Sequence, residues 1–93
     1  MRVTSVRIQA SREPGDVAAY VSIVLDHSLV VRRIRVVRGA TGRVYISMPS
    51  HPASSGTWED AVYAVNSRLR EDIKRTILEH YRTWPELLNG KVL

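Results

Sequence analysis

Five arginines, Arg32, Arg33, Arg35, Arg38 and Arg43, fall within residues 27–58, and no acidic side chain stands among them. The flanking segments are neutral. Residues 1–26 set Arg2, Arg7 and Arg12 against Glu13, Asp16 and Asp26, and residues 59–93 hold six cations and six carboxylates. The whole net charge of +5 therefore sits in the middle third of the chain. Twelve of the 14 cationic residues are arginine, whose planar guanidinium fork matches phosphate oxygens and base edges. This distribution points to an anionic polymer as partner.

Catalytic chemistry finds less support. The chain has no cysteine, which removes thiolate nucleophiles, disulfides, iron–sulfur clusters and cysteine-ligated zinc. The three histidines, His27, His51 and His80, are scattered, and no two share the four-residue spacing of a metal pair on a helix face. Gly39-Ala40-Thr41-Gly42 lacks the length and the lysine of a phosphate-binding loop and reads as a hairpin turn. The carboxylate neighbours Glu71 and Asp72 are expected in the first turn of a helix, where they favour its dipole. The expectation is a protein that is not an enzyme, with no cofactor, no metal and no small-molecule substrate.

The elements that must position the arginines follow from hydrophobic periodicity. With 93 residues, 44% hydrophobic and 25% charged, the chain is one globular domain. Two-residue alternation with frequent β-branching predicts strands over about Val3–Ala10, Val17–Leu25, Leu29–Val37 and Arg43–Met48, and a short fifth at about Val62–Val65. The third strand changes phase between Val31 and Ile34, which predicts a β-bulge at Arg32-Arg33. Residues 49–57, rich in Pro, Ser and Gly, read as a mobile loop. From Asn66 the period becomes helical, with Leu69, Ile73, Ile77, Tyr81 and Trp84 on one stripe and Asn66 or Ser67 as N-cap. The fold class is α+β: an antiparallel four- to five-stranded sheet over about residues 2–65, one long C-terminal helix over about 67–84 packed on it, and a short tail, 85–93. In that tail Leu87, Leu88 and Leu93 are available for apolar contact.

With the alternating apolar residues turned inward, the opposite sheet face carries Arg7, Tyr20, Arg33, Arg35, Arg43 and Tyr45. Guanidinium groups that meet phosphates, interleaved with rings that stack on bases, suit single-stranded nucleic acid. The alternative is that the tyrosines pair with arginines across strands or are covered by a dimer partner. A second basic surface lies on the helix, where Arg68, Arg70, Lys74, Arg75 and Arg82 have Glu71, Asp72 and Glu79 nearby to neutralise them. The candidate nucleic-acid-binding set is Arg32, Arg33, Arg35, Arg43 and Tyr45, with Arg70 and Lys74 from the helix. Small size and strand edges with few lysines or prolines predict a homodimer. The longest nearly apolar run, Val17–Leu25, is too short to cross a bilayer, and the first residues do not read as a secretory signal. A cytoplasmic protein without a membrane partner is expected.

These segments together resemble the SpoVG family of septation regulators (stage V sporulation protein G). The resemblance is carried by Val3-Thr4 with Val6-Arg7, Val21-Ser22-Ile23 with Leu25-Asp26, and Ile34-Arg35-Val36 ahead of Gly39 and Gly42. It continues through Met48-Pro49-Ser50, then Gly56, Asp60 and Asn66-Ser67 with Arg70, Ile73 and Tyr81. It spans about residues 2–82. It implies a cytoplasmic bacterial regulator that is not an enzyme, dimerises through its sheet, binds DNA and RNA, and affects septation and gene expression. The chain departs from the family pattern in three places. His51-Pro52 stands where members commonly carry Lys-Arg, Tyr63-Ala64 where they carry His-Pro, and the acidic polar tail of many members is missing. The other reading is a protein-interaction module of the division machinery that binds through a sheet edge, its arginines serving solubility.

Overall fold

Alternation builds three long strands, β1 (Val3–Ala10), β2 (Val17–Leu25) and β3 (Leu29–Arg38), and a shorter one, β4 (Val44–Ser47). In the computed structural model, which describes residues 1–84, they form one antiparallel sheet in the order β1-β2-β3-β4. Each strand pairs with its neighbour in sequence, so tight turns suffice to connect them. Ala19, Val21, Ile23 and Leu25 of β2 and Val31, Ile34 and Val36 of β3 are buried on one face. That face is covered by α1 (Ser67–Arg82) through Ile73, Ile77 and Tyr81. Val6, Ile8, Val44, Ile46 and Met48 pack around this centre.

The β2–β3 turn is held from outside. Asp26 and His27 both adopt positive φ, 50° and 52°, and the Ser28 N–H donates to the Leu25 carbonyl at 2.9 Å, the signature of a type I′ hairpin. Without glycine this geometry costs about 1–2 kcal/mol per residue, and the start of β1 offsets it. The Asp26 N–H donates to the Arg2 carbonyl at 2.9 Å, the Arg2 N–H to Asp26 Oδ1 at 2.8 Å, and the His27 N–H to Thr4 Oγ1 at 2.9 Å. Thr4 is free for this role because the β1–β2 register shifts between Val3 and Ser5.

Two further hairpin turns share one geometry. In Gly39–Gly42 and in Ala53–Gly56 the fourth residue is glycine at φ 84° and 87°, and its N–H donates to the carbonyl of the first residue at 3.0 Å. The first residue's own N–H bonds, at 2.7 Å, to the carbonyl just beyond the turn, that of Arg43 or Thr57. A type I turn followed by a left-handed residue closes hairpins in this manner. The second of these turns corrects an expectation. Residues 49–57 are not a plain loop, because they contribute to a two-stranded antiparallel sheet of β5 (Ser50–Pro52) and β6 (Trp58–Asp60). No strand forms at Val62–Val65. There the Ala61 N–H closes back on the Pro49 carbonyl at 2.7 Å, and the Ala64 carbonyl is taken by Arg70 Nε and Nη2 at 3.2 and 3.0 Å. The segment is thus tied to hairpin and helix instead of entering a ladder.

Asn66 is the N-cap: its Oδ1 accepts from the Leu69 N–H at 3.0 Å. Starting at Ser67, the helix has no acidic residue in its first turn, so Glu71 and Asp72 fall in the second, where Asp72 pairs with Arg75 instead of serving the dipole. The helix ends at Arg82 with Thr83 as C-cap, and Trp84 lies against Tyr81 with ring centroids 6.2 Å apart. Among the described residues no helix is long and apolar enough to cross a membrane. The tail residues Leu87, Leu88 and Leu93 lie outside the described part of the chain.

Candidate nucleic-acid interface

With α1 covering one face of the sheet, Ser5, Arg7 and Gln9 of β1 and Arg32 and Arg33 of β3 remain exposed, while Tyr20, Ser22 and Arg35 are partly so. Register sets rows across this open face: Gln9 opposes Tyr20, Tyr20 opposes Arg35, and Arg35 opposes Ser47. The bulge forms where expected. Val21 pairs with Ile34 and Ile23 with Val31, so Arg32 and Arg33 together face Ser22, and Arg33 takes φ 61°. One extra residue restores the inward phase of Val31 and Ile34 and leaves two consecutive arginines outside. Both line a groove with Gln9, Arg12, Glu13, Tyr20 and Ser22.

Two of these cations are positioned further. The Arg33 guanidinium carbon lies 5.4 Å from the centroid of the Tyr20 ring, within cation–π range. Arg35 is partly buried, and its Nη2 donates to Ser47 Oγ at 2.9 Å and Ser50 Oγ at 3.0 Å. Among the described residues none of Arg7, Arg12, Arg32, Arg33, Arg35 and Arg43 is paired with a carboxylate. A group of guanidinium ions without internal counter-ions is held close to neutrality by solution anions, which a polyanion displaces.

Tyr45 is half exposed and alternates with the inward Val44 and Ile46, so it shares the face of Ser47 and Arg35, while at the β4 edge it also borders a groove toward α1 with Arg70, Lys74, Tyr63 and Asp60. Arg70 there holds the Ala64 carbonyl, so part of its donor set is spent on the fold. Arg43 is exposed in the turn just before β4, outside the strand expected to carry it. The predicted residues thus separate into a sheet-face group, Arg32, Arg33 and Arg35 with Tyr20, and a helix-side pair, Arg70 and Lys74, with Tyr45 at the β4 edge between them. On the helix itself Arg75 is bridged to Asp72 and, at 3.7 Å, to Glu79.

The SpoVG family model matches residues 1–83. The chain belongs to the SpoVG family. It is 40% identical over 83 residues to a protein of Agathobacter rectalis named septation protein SpoVG, which covers 89% of this chain and 94% of that one. It is 35% identical over 88 residues to the protein of that name from Staphylococcus saprophyticus, covering 95% of this chain and 86% of the relative. A third, from an Anaeromyxobacter species, is 41% identical over 81 residues, with 87% and 78% covered. Several SpoVG-like signatures mark joints of the fold. Leu25-Asp26 enters the type I′ turn, Met48-Pro49-Ser50 joins β4 to β5, and Asn66-Ser67 opens the helix. Ser50 also orients Arg35.

Two contributors to the open face, Trp58 and Ser50, went unseen in the sequence. Trp58, 70% exposed, lies with Pro49 and Ser50 beside Tyr20, Arg33 and Arg35, and Ser47 with Ser50 fixes Arg35. The β5–β6 hairpin brings Trp58 there, and its polar strands carry no alternation. Gly56, four residues into the same turn pattern as Gly42, is the signal that points to it.

Proposed function

We propose that this protein binds nucleic acid, DNA or RNA, through the sheet face that α1 leaves open, and acts in the cytoplasm as a regulator linked to septation. The carrying observation is the cluster of Arg32, Arg33 and Arg35, unpaired with carboxylates among the described residues and set beside Tyr20. The septation link rests on the names of the relatives. Binding, not catalysis, is the role this arrangement supports, because its groups hold anions and stack rings but offer no acid–base pair. With about four to six arginines meeting phosphates, the logarithm of affinity for mixed-sequence oligonucleotides falls with the logarithm of salt at a slope of roughly −3 to −5. Affinity independent of salt would overturn this reading.

The open edge of β3 supports a homodimer. Pairing with β4 covers only Arg35–Arg38, so among the described residues the stretch from Leu29 to Ile34 has no strand on its outer side, and Leu29 and Val30 there are 51% and 55% exposed. An unpaired apolar edge is a template for another strand, and a two-fold axis lets one edge serve both copies. Sedimentation at micromolar concentration is expected to give about 21 kDa, twice the 10.5 kDa chain. Val30→Lys should shift the mass toward the monomer. A monomer in the unaltered protein would turn attention to a partner strand from the division machinery.

A further inference from the structure

We propose that the slot between the open sheet face and the β5–β6 hairpin is a single-nucleotide site, in which Trp58 stacks on one unpaired base and Arg33 and Arg35 hold the adjoining phosphate. The proposal rests on the nucleic-acid reading above and adds the form of the ligand, a single strand with a base free to turn out of its stack.

The slot is lined by Tyr20, Arg33, Arg35, Pro49, Ser50 and Trp58 and has a volume of about 290 Å³, at the lower end of small-ligand pockets, which run from about 300 to 1,000 Å³. One nucleotide suits that size. Trp58 opposes Pro52 across the hairpin, which fixes the position of its backbone, yet 70% of the residue is exposed. An indole left in water keeps a large apolar surface available for stacking on a base. Arg35 supplies the anion contact. Its Nη2 is spent on Ser47 and Ser50, while Nε and Nη1 have no acceptor among the described residues, and a partly buried guanidinium without a carboxylate favours a phosphate. Arg33 holds a left-handed conformation at φ 61°, uncommon for a side chain of this size and often retained where it aims a functional group. Neither Glu59 nor Asp60, the residues that follow Trp58, lines the slot; Asp60 lies on the groove beside Arg70 and Lys74.

The test compares a labelled single-stranded oligonucleotide with an abasic strand of the same sugar-phosphate backbone, by fluorescence anisotropy at 0.1 M salt. The unaltered protein is expected to bind the base-bearing strand about 10-fold more tightly than the abasic one. Trp58→Ala should remove that difference, weakening the first about 10-fold and leaving the second and the salt slope unchanged, while Trp58→Phe recovers most of it. A measurement that keeps Trp58 in place guards against a folding defect. The chain has two tryptophans, so Trp84→Phe leaves Trp58 as the sole indole, and its emission should be quenched as the base-bearing strand saturates. Unquenched emission at saturation, or equal affinity of Trp58→Ala and the unaltered protein for the base-bearing strand, would overturn the stacking site while the nucleic-acid reading stands. If the unaltered protein binds neither strand, both fall.

Discussion

Replacing Arg33 and Arg35 together by alanine is expected to weaken oligonucleotide binding about 25-fold at 0.1 M salt and to flatten the salt slope by about 1.4, the loss of two phosphate contacts on a single strand. Arg68→Ala with Arg75→Ala removes the same formal charge from the helix and should cost much less. Arg75 is already bridged to Asp72 and Glu79, whereas Arg33 and Arg35 have no carboxylate partner among the described residues. Charge counting alone makes the two pairs equal, so the comparison isolates where the charge is presented. Fluorescence anisotropy over a salt series gives both numbers, and circular dichroism establishes that each variant is folded. A larger loss from the helix pair would move the interface to the groove that Arg68 and Arg75 line with Arg2 and Asn66.

The largest effect on stability is expected from Ile77→Ala. Ile77 is fully buried where α1 meets the sheet, and truncating such a side chain costs about 2–5 kcal/mol in lost transfer energy and residual cavity. Against a total stability of about 5–15 kcal/mol for a domain, that is a large fraction. At about 4–8 °C per kcal/mol for a chain of this size, Tm should drop by about 8–40 °C in a thermal scan by circular dichroism. Val65→Ala, at a position 84% exposed, should stay within about 0.5 kcal/mol of the unaltered protein. A similar loss at both positions would mean that α1 does not seal the core as described.

The parts of the fold legible in the sequence are those written as periodicity. Val17–Leu25 alternates without a break and is found as β2 with those bounds. The phase change between Val31 and Ile34 is enough to place the bulge, and the stripe of Ile73, Ile77 and Tyr81 is enough to place the helix on the sheet. The β5–β6 hairpin was hidden because Ser50-His51-Pro52 and Trp58-Glu59-Asp60 are exposed on nearly every residue, and strands that bury nothing leave no hydrophobic pattern. Val62–Val65 misled for the opposite reason. Its composition suits a strand, but the preceding Ala61 is tied to Pro49 and its own Ala64 carbonyl is taken by Arg70. The candidate site divided along the same line: which strand residues face outward was readable, while the serines that aim Arg35 and the hairpin that delivers Trp58 required the tertiary arrangement.

The bulge at Arg32-Arg33 makes β3 one residue longer than its core demands. A chain lacking one of those two arginines would read Val31, one arginine, Ile34, which is ordinary alternation. It would keep both apolar residues buried in an unbroken ladder with β2. The supernumerary position is therefore dispensable to folding and spent entirely on the outer surface, where it doubles the guanidinium density opposite Ser22. Elsewhere in β3 a one-residue deletion inverts every side chain beyond it. At this joint alone in β3, shortening the strand removes charge and leaves the interior intact.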